Sequence, residues 1–320
     1  MISGFLVVDK PAGITSHDVV AVLRSTLRIK KIGHTGTLDP FATGVLPLAI
    51  GPSTRLIQFL DEGVKRYEAT VTLGRATDTG DLMGDVVSES EVPSLEPASI
   101  QATLNDFCGE RMQTPPAYSA VKVRGKPLYK YAREGKSVAV AARKIRIDSV
   151  ELLEARGDEI DIRVQCGRGT YVRVLAEEIG VALGTHGHLS QLRRLASGPF
   201  ELTGALRFEE LSQLAANRDD WQPVLRPSRG AERVQWADPE VIRRGIQSRV
   251  SAPRTVLDHL PEQELSAADM DNLRKRGRVF TLPPGVDDGD CWLAIQRDEL
   301  IAVMRRNGPE GRVARVIVTA

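Results

Sequence analysis

The chain has 320 residues, 42% of them hydrophobic and 27% charged, and a formal net charge of +1. This is the make-up of a globular protein with enough apolar material for one large domain or two unequal ones. No apolar run approaches the roughly 20 residues of a membrane helix, and Phe5–Val8 is too short for the core of a signal peptide, so a cytoplasmic protein with no membrane partner is expected. Cys108, Cys166 and Cys291 are odd in number and far apart, which supports neither a disulfide framework nor a zinc cluster; they read as buried thiols.

Phe5–Val8 reads as a short strand ending in the turn Lys10-Pro11-Ala12-Gly13. A helix follows from Ser16, with Thr15 and Asp18 at capping-box spacing and Val19, Val20, Leu23 and Leu27 as its apolar face. Next comes Gly33-His34-Thr35-Gly36-Thr37-Leu38-Asp39-Pro40. An Asp before a Pro suits a helix N-cap with Pro at the first helical position. The glycines and polar groups around it, with Gly44 beyond, exceed what a cap needs and suit a loop that admits a ligand closely. Leu56, Ile57, Phe59 and Leu60 suggest a further helix. Tyr67, Ala69, Val71 and Leu73 alternate as on a half-buried strand, and so do Ile160, Ile162 and Val164. The second run leads through Gly167 and Gly169 into a helical pattern at Val174, Leu175 and Ile179; a strand turning through glycines into a helix is a favourable place for a site.

Charge is segregated along the chain. Lys122 to Arg146 holds nine basic residues against the single acid Glu134, about +8, interleaved with Tyr129 and Tyr131 and preceded by Tyr118. Cations among aromatics suit phosphates and stacked bases. Arg24/Arg28/Lys30/Lys31, Arg193/Arg194 and Arg274/Lys275/Arg276/Arg278 are candidates to extend that surface. The acidic stretch from Gly74 to Ile100, with Asp78, Asp81, Asp85, Glu89, Glu91 and Glu96, reads as a solvated face. Gly167-x-Gly169 lacks the third glycine of a dinucleotide fingerprint, no phosphate loop occurs, and His186 and His188 lack further ligands for a metal. No cofactor and no metal are expected, and Asp39 remains the main chemical candidate.

Five segments together carry a resemblance: Asp9-Lys10-Pro11-Ala12-Gly13-Ile14-Thr15-Ser16, Gly33 through Leu46, Lys65-Arg66-Tyr67-Glu68-Ala69, Gln113-Thr114-Pro115-Pro116-Ala117-Tyr118-Ser119-Ala120, and Arg168-Gly169-Thr170-Tyr171-Val172-Arg173. In order and spacing they resemble the TruB-type tRNA pseudouridine synthases over residues 3 to 208. The resemblance implies a mixed α/β (α+β) catalytic domain on a curved antiparallel sheet, and conversion of the T-loop uridine at tRNA position 55 to pseudouridine without a cofactor. It implies Asp39 as the catalytic carboxylate, attacking the sugar, attacking the base or removing a ribose proton, with Arg173 as the partner keeping it ionised. Tyr67 would stack on the target base, Tyr171 would line the same pocket, and Lys10 with Pro11 would support the wall. His34 would fill the stack vacated by the extracted base. The basic segment, about residues 117–146, would be a mobile thumb gripping the T stem-loop through Lys122, Arg124, Lys126, Lys130 and Arg133.

Beyond residue 230 the resemblance fades. Val234–Gly245 faintly echoes Glu264–Gly277, each reading as a helix ending at glycine, and the second copy runs into strands at Trp292–Ile295 and Ala314–Val318. The expected division is a catalytic domain over 1–230, a linker or insertion over 231–253, and a small β-barrel of the PUA class over 254–320 that supports RNA binding, with a reach toward the tRNA acceptor end. The basic thumb and the lack of a long lysine-rich tail disfavour a guide-RNA-dependent relative of dyskerin, so no guide RNA and no obligate protein partner are expected. A tRNA-folding chaperone role is compatible with the same surface.

Overall fold

The computed structural model describes residues 2–61, 63–208, 210 and 239–317. The chain starts with strand β1 (Gly4–Lys10), helix α1 (Ser16–Leu27), β2 (Ile32–His34) and β3 (Thr43–Ile50). The capping box opens α1 as the sequence predicts: the Asp18 amide donates to the Thr15 hydroxyl (3.1 Å) and the Thr15 amide to the Asp18 carboxylate (2.9 Å). Val19, Val20, Leu23 and Leu27 are buried.

The long strand β4 (Val64–Leu73) is followed by a hairpin of β5 (Arg75–Thr77) and β6 (Val86–Glu89), then helix α2 (Pro97–Asn105) and β7 (Gly109–Gln113). The thumb is compact: β8 (Lys122–Val123), β9 (Lys126–Pro127) and the single turn of α3 (Leu128–Ala132). Strands β10 (Arg143–Arg156) and β11 (Glu159–Gly167) lead into α4 (Val172–Ala182), and β12 (Gly187–Ser197), β13 (Phe200–Glu201) and β14 (Leu206–Arg207) complete this part. Helix α5 (Pro239–Gln247) and β15 (Val250–Ser251) come next.

These strands form one eleven-stranded sheet along the path β14-β1-β3-β12-β4-β11-β10-β7, with β2, β13 and β15 added at its sides. Pairing is mostly antiparallel; β1 with β14 and β3 with β12 run parallel. The β3–β12 contact spans only Arg193↔Thr43 and Arg194↔Gly44. Side chains alternate across β1 as a strand requires: Leu6 and Val8 join the main core beneath α1, α2 and α4, whereas Phe5 lies in a second cluster on the other face.

That second cluster joins Phe5, Val45, Ala49 and Phe200 to Val256, Leu257, Leu293, Ile295 and Val303 of the C-terminal part. The latter is a five-stranded sheet, β16 (Glu262–Glu264), β17 (Arg278–Val279), β18 (Cys291–Gln296), β19 (Glu299–Asn307) and β20 (Glu310–Val316), in the order β16-β18-β19-β20-β17. Its outer face packs Trp292, Ala294, Ala302 and Met304 against Met270 and Leu273 of α6 (Ala267–Arg276). One sheet thus feeds two cores, and the C-terminal part is bonded to the eleven-stranded sheet by shared apolar burial.

Several expectations are corrected. No helix follows Asp39, because Pro40 and Phe41 turn straight into β3. Residues 51–59 form two 3-10 turns, Gly51–Arg55 and Ile57–Phe59, too short for the expected helix. Helix α5 runs through Gly245 to Gln247, so the faint repeat does not share a glycine stop, whereas Gly277 does end α6 in the left-handed region (φ +64°). Residues 239–251, within the segment expected as a linker or insertion, pack α5 on α1 and pair β15 with β1, which suits an insertion and not a free linker. Of the same segment, 231–238 lie outside the described residues, and Ala252 and Pro253 open a short helical turn. Only Cys166 is a fully buried thiol; Cys108 is exposed.

Candidate active site

Asp39 sits on a loop pinned from three sides. On its N-terminal flank the Ser16 hydroxyl accepts from the Leu38 amide (2.8 Å) and donates to the Leu38 carbonyl (3.1 Å). On its C-terminal flank the Pro40 carbonyl accepts from the Gly13 amide (2.9 Å) and from Lys10 Nζ (3.1 Å). From below, the Arg194 guanidinium donates to the carbonyls of Gly36 (3.1 Å), Thr37 (3.3 Å) and Val45 (2.7 Å). Gly44 serves this packing and not a ligand: at φ +102° its Cβ position lies 2.2 Å from the Arg194 carbonyl oxygen, so only glycine lets β3 and β12 meet there.

The Asp39 carboxylate is gripped by Arg173 of α4, Nε to Oδ2 at 3.0 Å and Nη2 to Oδ1 at 3.4 Å. The guanidinium is buried and held in turn by the carbonyls of Thr79 and Tyr118, both at 2.8 Å, with the Asp81 carboxylate 3.7 Å from Nη1. All three guanidinium nitrogens are thereby engaged in close contacts, with Asp81 adding a longer ion pair. Burial pushes the Asp39 carboxyl above the usual aspartate range, and Arg173 is the strongest influence pulling it back. Arg173 thus pairs with Asp39 as expected and favours its ionised form, while offsetting only part of a desolvation that favours the protonated acid.

Asp39, Arg173, Tyr67, Tyr171 and His34 all line one cleft of about 780 Å³, whose far wall is Tyr118, Ser119, Tyr129 and Arg133. Tyr67 lies directly opposite Arg194 in the β4–β12 register; burial raises its phenol pKa, with the guanidinium beside it acting in the opposite direction. Tyr171 caps α4, and its peptide is clipped by Gln113, which accepts from the Tyr171 amide (2.8 Å) and donates to its carbonyl (3.2 Å). The His34 ring has a buried Nδ1 with no hydrogen-bond partner, and burial holds its pKa down, which favours a neutral flat ring at the cleft wall. Lys10 lies outside the cleft lining. It is wholly buried, donates to the carbonyls of Pro11 and Ile14 (both 2.8 Å) as well as Pro40, and is pulled down to about 8 by desolvation.

The thumb places Tyr118, Ser119, Ala120, Tyr129 and Arg133 at the cleft, with the Arg133 guanidinium 5.6 Å from the Tyr129 ring centre. Lys122, Arg124 and Lys130 are exposed and lie away from the lining. Lys126 stacks over Tyr131 at 4.5 Å and is ion-paired with Glu134, and Lys144 and Arg146 pair with Glu110 and Asp148. The run of about +8 is thus partly neutralised at home.

Sequence reading misplaced two residues and passed over a third. Arg194 is 1% exposed and holds the Asp39 loop, whereas Arg193 faces outward and pairs with Asp9 at 2.8 Å. Asp81 is buried against Arg173, not part of a solvated acidic face. Gln113 stood inside a quoted segment without a role. Among the described residues no cluster of His, Cys, Asp or Glu suited to a metal occurs, and no helix is long and apolar enough to cross a membrane. Burial raises the Cys166 thiol to about 11, which leaves it a poor nucleophile.

The family model for the N-terminal domain of the TruB pseudouridylate synthases matches residues 24–172, and that for the tRNA pseudouridylate synthase B C-terminal domain matches 173–230. Among curated relatives, tRNA pseudouridine synthase B of Geobacter sulfurreducens is 47% identical over 249 residues, covering 74% of this chain and 82% of the relative. The Francisella tularensis subsp. tularensis protein of the same name is 46% identical over 215 residues, 67% of this chain and 71% of the relative. Among solved structures, a chain of a Cbf5–Nop10–Gar1 complex superposes with a TM-score of 0.69 at 26% identity, covering 98% of this chain and 85% of that one.

Proposed function

Since the chain belongs to the TruB family of pseudouridylate synthases, we propose that Asp39 is the catalytic carboxylate with which it isomerises the T-loop uridine at position 55 of tRNA. The observation that carries this reading is the Asp39–Arg173 pair at the floor of a cleft walled by Tyr67 and Tyr171. The enzyme is a tRNA pseudouridine synthase, an isomerase, with a PUA-like C-terminal sheet.

Breaking the bond from base to sugar and rejoining the base through carbon needs a carboxylate held at one place and a pocket in which uracil can turn. The triple pinning of the Asp39 loop supplies the first, and side-on contact with Arg173 fixes the carboxylate plane. Tyr67 offers a flat face for the base. Because the target lies inside a folded loop, it must be extracted at a cost of a few kcal/mol, and His34, whose Nδ1 has no hydrogen-bond partner and whose burial disfavours the charged ring, is suited to occupy the space it leaves. Lys10 supports the loop and takes no part in the chemistry. Tyr129 and Arg133 grip the RNA at the mouth, with Lys122, Arg124, Lys126 and Lys130 on phosphates further out and the C-terminal sheet reaching toward the acceptor end. The reaction takes place in the cytoplasm.

A thumb carried on the chain itself supports guide-independent action. The test is pseudouridine mapping on an unmodified tRNA transcript incubated with the pure protein alone. Modification at position 55 is expected; none without an added guide RNA or protein overturns the reading.

A further inference from the structure

Arg194 is a buried cation without a carboxylate. At 1% exposure it donates to three main-chain carbonyls, those of Gly36, Thr37 and Val45, and no acid among the described residues forms an ion pair with it. Carbonyl dipoles satisfy the N–H groups but leave a full positive charge in a site of low polarity, which is costly unless an anion joins it at some stage. Arg173, by contrast, faces both Asp39 and Asp81. The uncompensated charge stands directly across from Tyr67 in the β4–β12 register, and both side chains line the cleft; burial raises the phenol pKa, and the guanidinium acts against that rise.

We infer that Arg194 is a positioning residue for the reaction: acting through the Tyr67 hydroxyl, its charge stabilises the negative charge that uracil acquires during isomerisation. This rests on the reading of the cleft as the uridine site. Each route open to Asp39 places that charge on the base. If the N1–C1′ bond breaks, by attack on the sugar or by loss of a ribose proton, its electron pair stays on N1 and leaves a uracil anion. If the carboxylate adds to C6, the C5–C6 pair moves through C4 to the O4 oxygen as an enolate. A phenol beside an uncompensated guanidinium is a stronger donor toward such an anion, and donors aimed at developing charge in a dry site act on rate and not on binding.

The decisive measurement is a double-mutant cycle under single-turnover conditions with saturating enzyme and unmodified tRNA. Arg194→Gln, whose amide still reaches loop carbonyls, is expected to slow turnover by about 10- to 100-fold with tRNA affinity unchanged within about 2-fold. In a Tyr67→Phe background the same substitution is expected to cost less than about 3-fold, because its route to the base is gone. Equal slowing in both backgrounds, or loss of affinity in place of rate, makes Arg194 a loop support only and overturns the inference. Arg194→Lys, which keeps charge and gives up the fork, is expected to retain more activity than Gln; a Lys variant as slow as Gln overturns it too. If the Gln protein does not fold, the Lys variant runs the same cycle, and a deficit that persists in the Phe background counts against the inference. A wild-type protein inert on tRNA would instead sink the functional reading itself.

Discussion

The floor of the cleft and the thumb above it are built on opposite electrostatic terms. On the floor each buried charge has fixed partners: Arg173 on two carboxylates and two carbonyls, Arg194 and Lys10 on three carbonyls each. On the thumb, Lys122, Arg124 and Lys130 stand in water and have no ion pair among the described residues. Geometry is fixed where charge is dear to bury, and left adaptable where water screens it. Substitutions on the floor should therefore change rate at constant affinity, and those on the thumb should change affinity and its salt dependence at constant rate.

The largest effect is expected at Asp39. Asp39→Asn keeps shape and removes the carboxylate, so pseudouridine formation should vanish while tRNA binding survives. Measurable turnover of the Asn protein would break the comparison at its centre. If that protein still speeds tRNA refolding, binding has a function apart from chemistry.

Arg173 comes next. Arg173→Lys keeps the charge but cannot hold Asp39, Thr79 and Tyr118 together, and a fall of about two orders of magnitude in single-turnover rate is expected, with little change in affinity. Because burial already holds the Asp39 carboxyl above the ordinary range, activity should fade on acidification at a pH above that of an exposed aspartate. Removing the guanidinium in Arg173→Met should push that limb higher still. A limb that stays in place would mean Arg173 does not tune the acid.

His34→Ala probes the wall between floor and mouth. Extraction of a stacked base costs a few kcal/mol, so the variant should slow formation of the flipped complex on folded tRNA. The effect should shrink on a loop lacking tertiary contacts. Equal slowing on both RNAs would assign the ring a chemical role.

Much of this contrast was legible in the chain. The capping box at Thr15 and Asp18, the alternation along Tyr67–Leu73 and the glycine turn before Arg173 are local patterns, and the structure keeps them. Arg194 was within reach too: Leu192, Arg194 and Ala196 fall on one face of a strand at period two, and all three are buried. Reading Arg193 and Arg194 together as a surface pair overrode that period. Asp81 was not legible, since nothing in an acidic, glycine-containing stretch tells which carboxylate turns inward; its partner is 92 positions away. The turn at Asp39–Pro40 has the composition of a helix start, and tertiary bonds from Ser16, Lys10 and Gly13 decide against it.

Lys10 offers a smaller effect with a definite sign. Its folded-state pKa is about 8, against 10.5 when free. Between those values the unfolded chain holds a proton that the folded one has released, so this group makes folding more favourable as pH rises. The stability of wild type relative to Lys10→Met should therefore increase from pH 8 to pH 10, by on the order of 1 kcal/mol per pH unit. A constant difference across that range, in paired denaturant titrations, would mean that Lys10 is not a desolvated ammonium.

The smallest effects per residue belong to the thumb, and its own ion pairs rank them. Lys122, Arg124 and Lys130 are free to meet phosphates, so each Gln substitution should weaken tRNA binding modestly and lower the slope of log affinity against log salt by about 1. Lys126 already pairs with Glu134, and an RNA phosphate must displace that carboxylate before gaining the contact. Lys126→Gln should thus change the slope less than Lys130→Gln, and Glu134→Gln should strengthen binding at low salt by releasing Lys126. In all these variants the single-turnover rate at saturation should stay near wild type. Titrations of whole tRNA and of the isolated T stem-loop across a salt series read out both quantities. Equal slopes for Lys126 and Lys130 variants would show that the pair opens freely on contact, and a fall in saturated rate would show that the thumb shapes the floor after all.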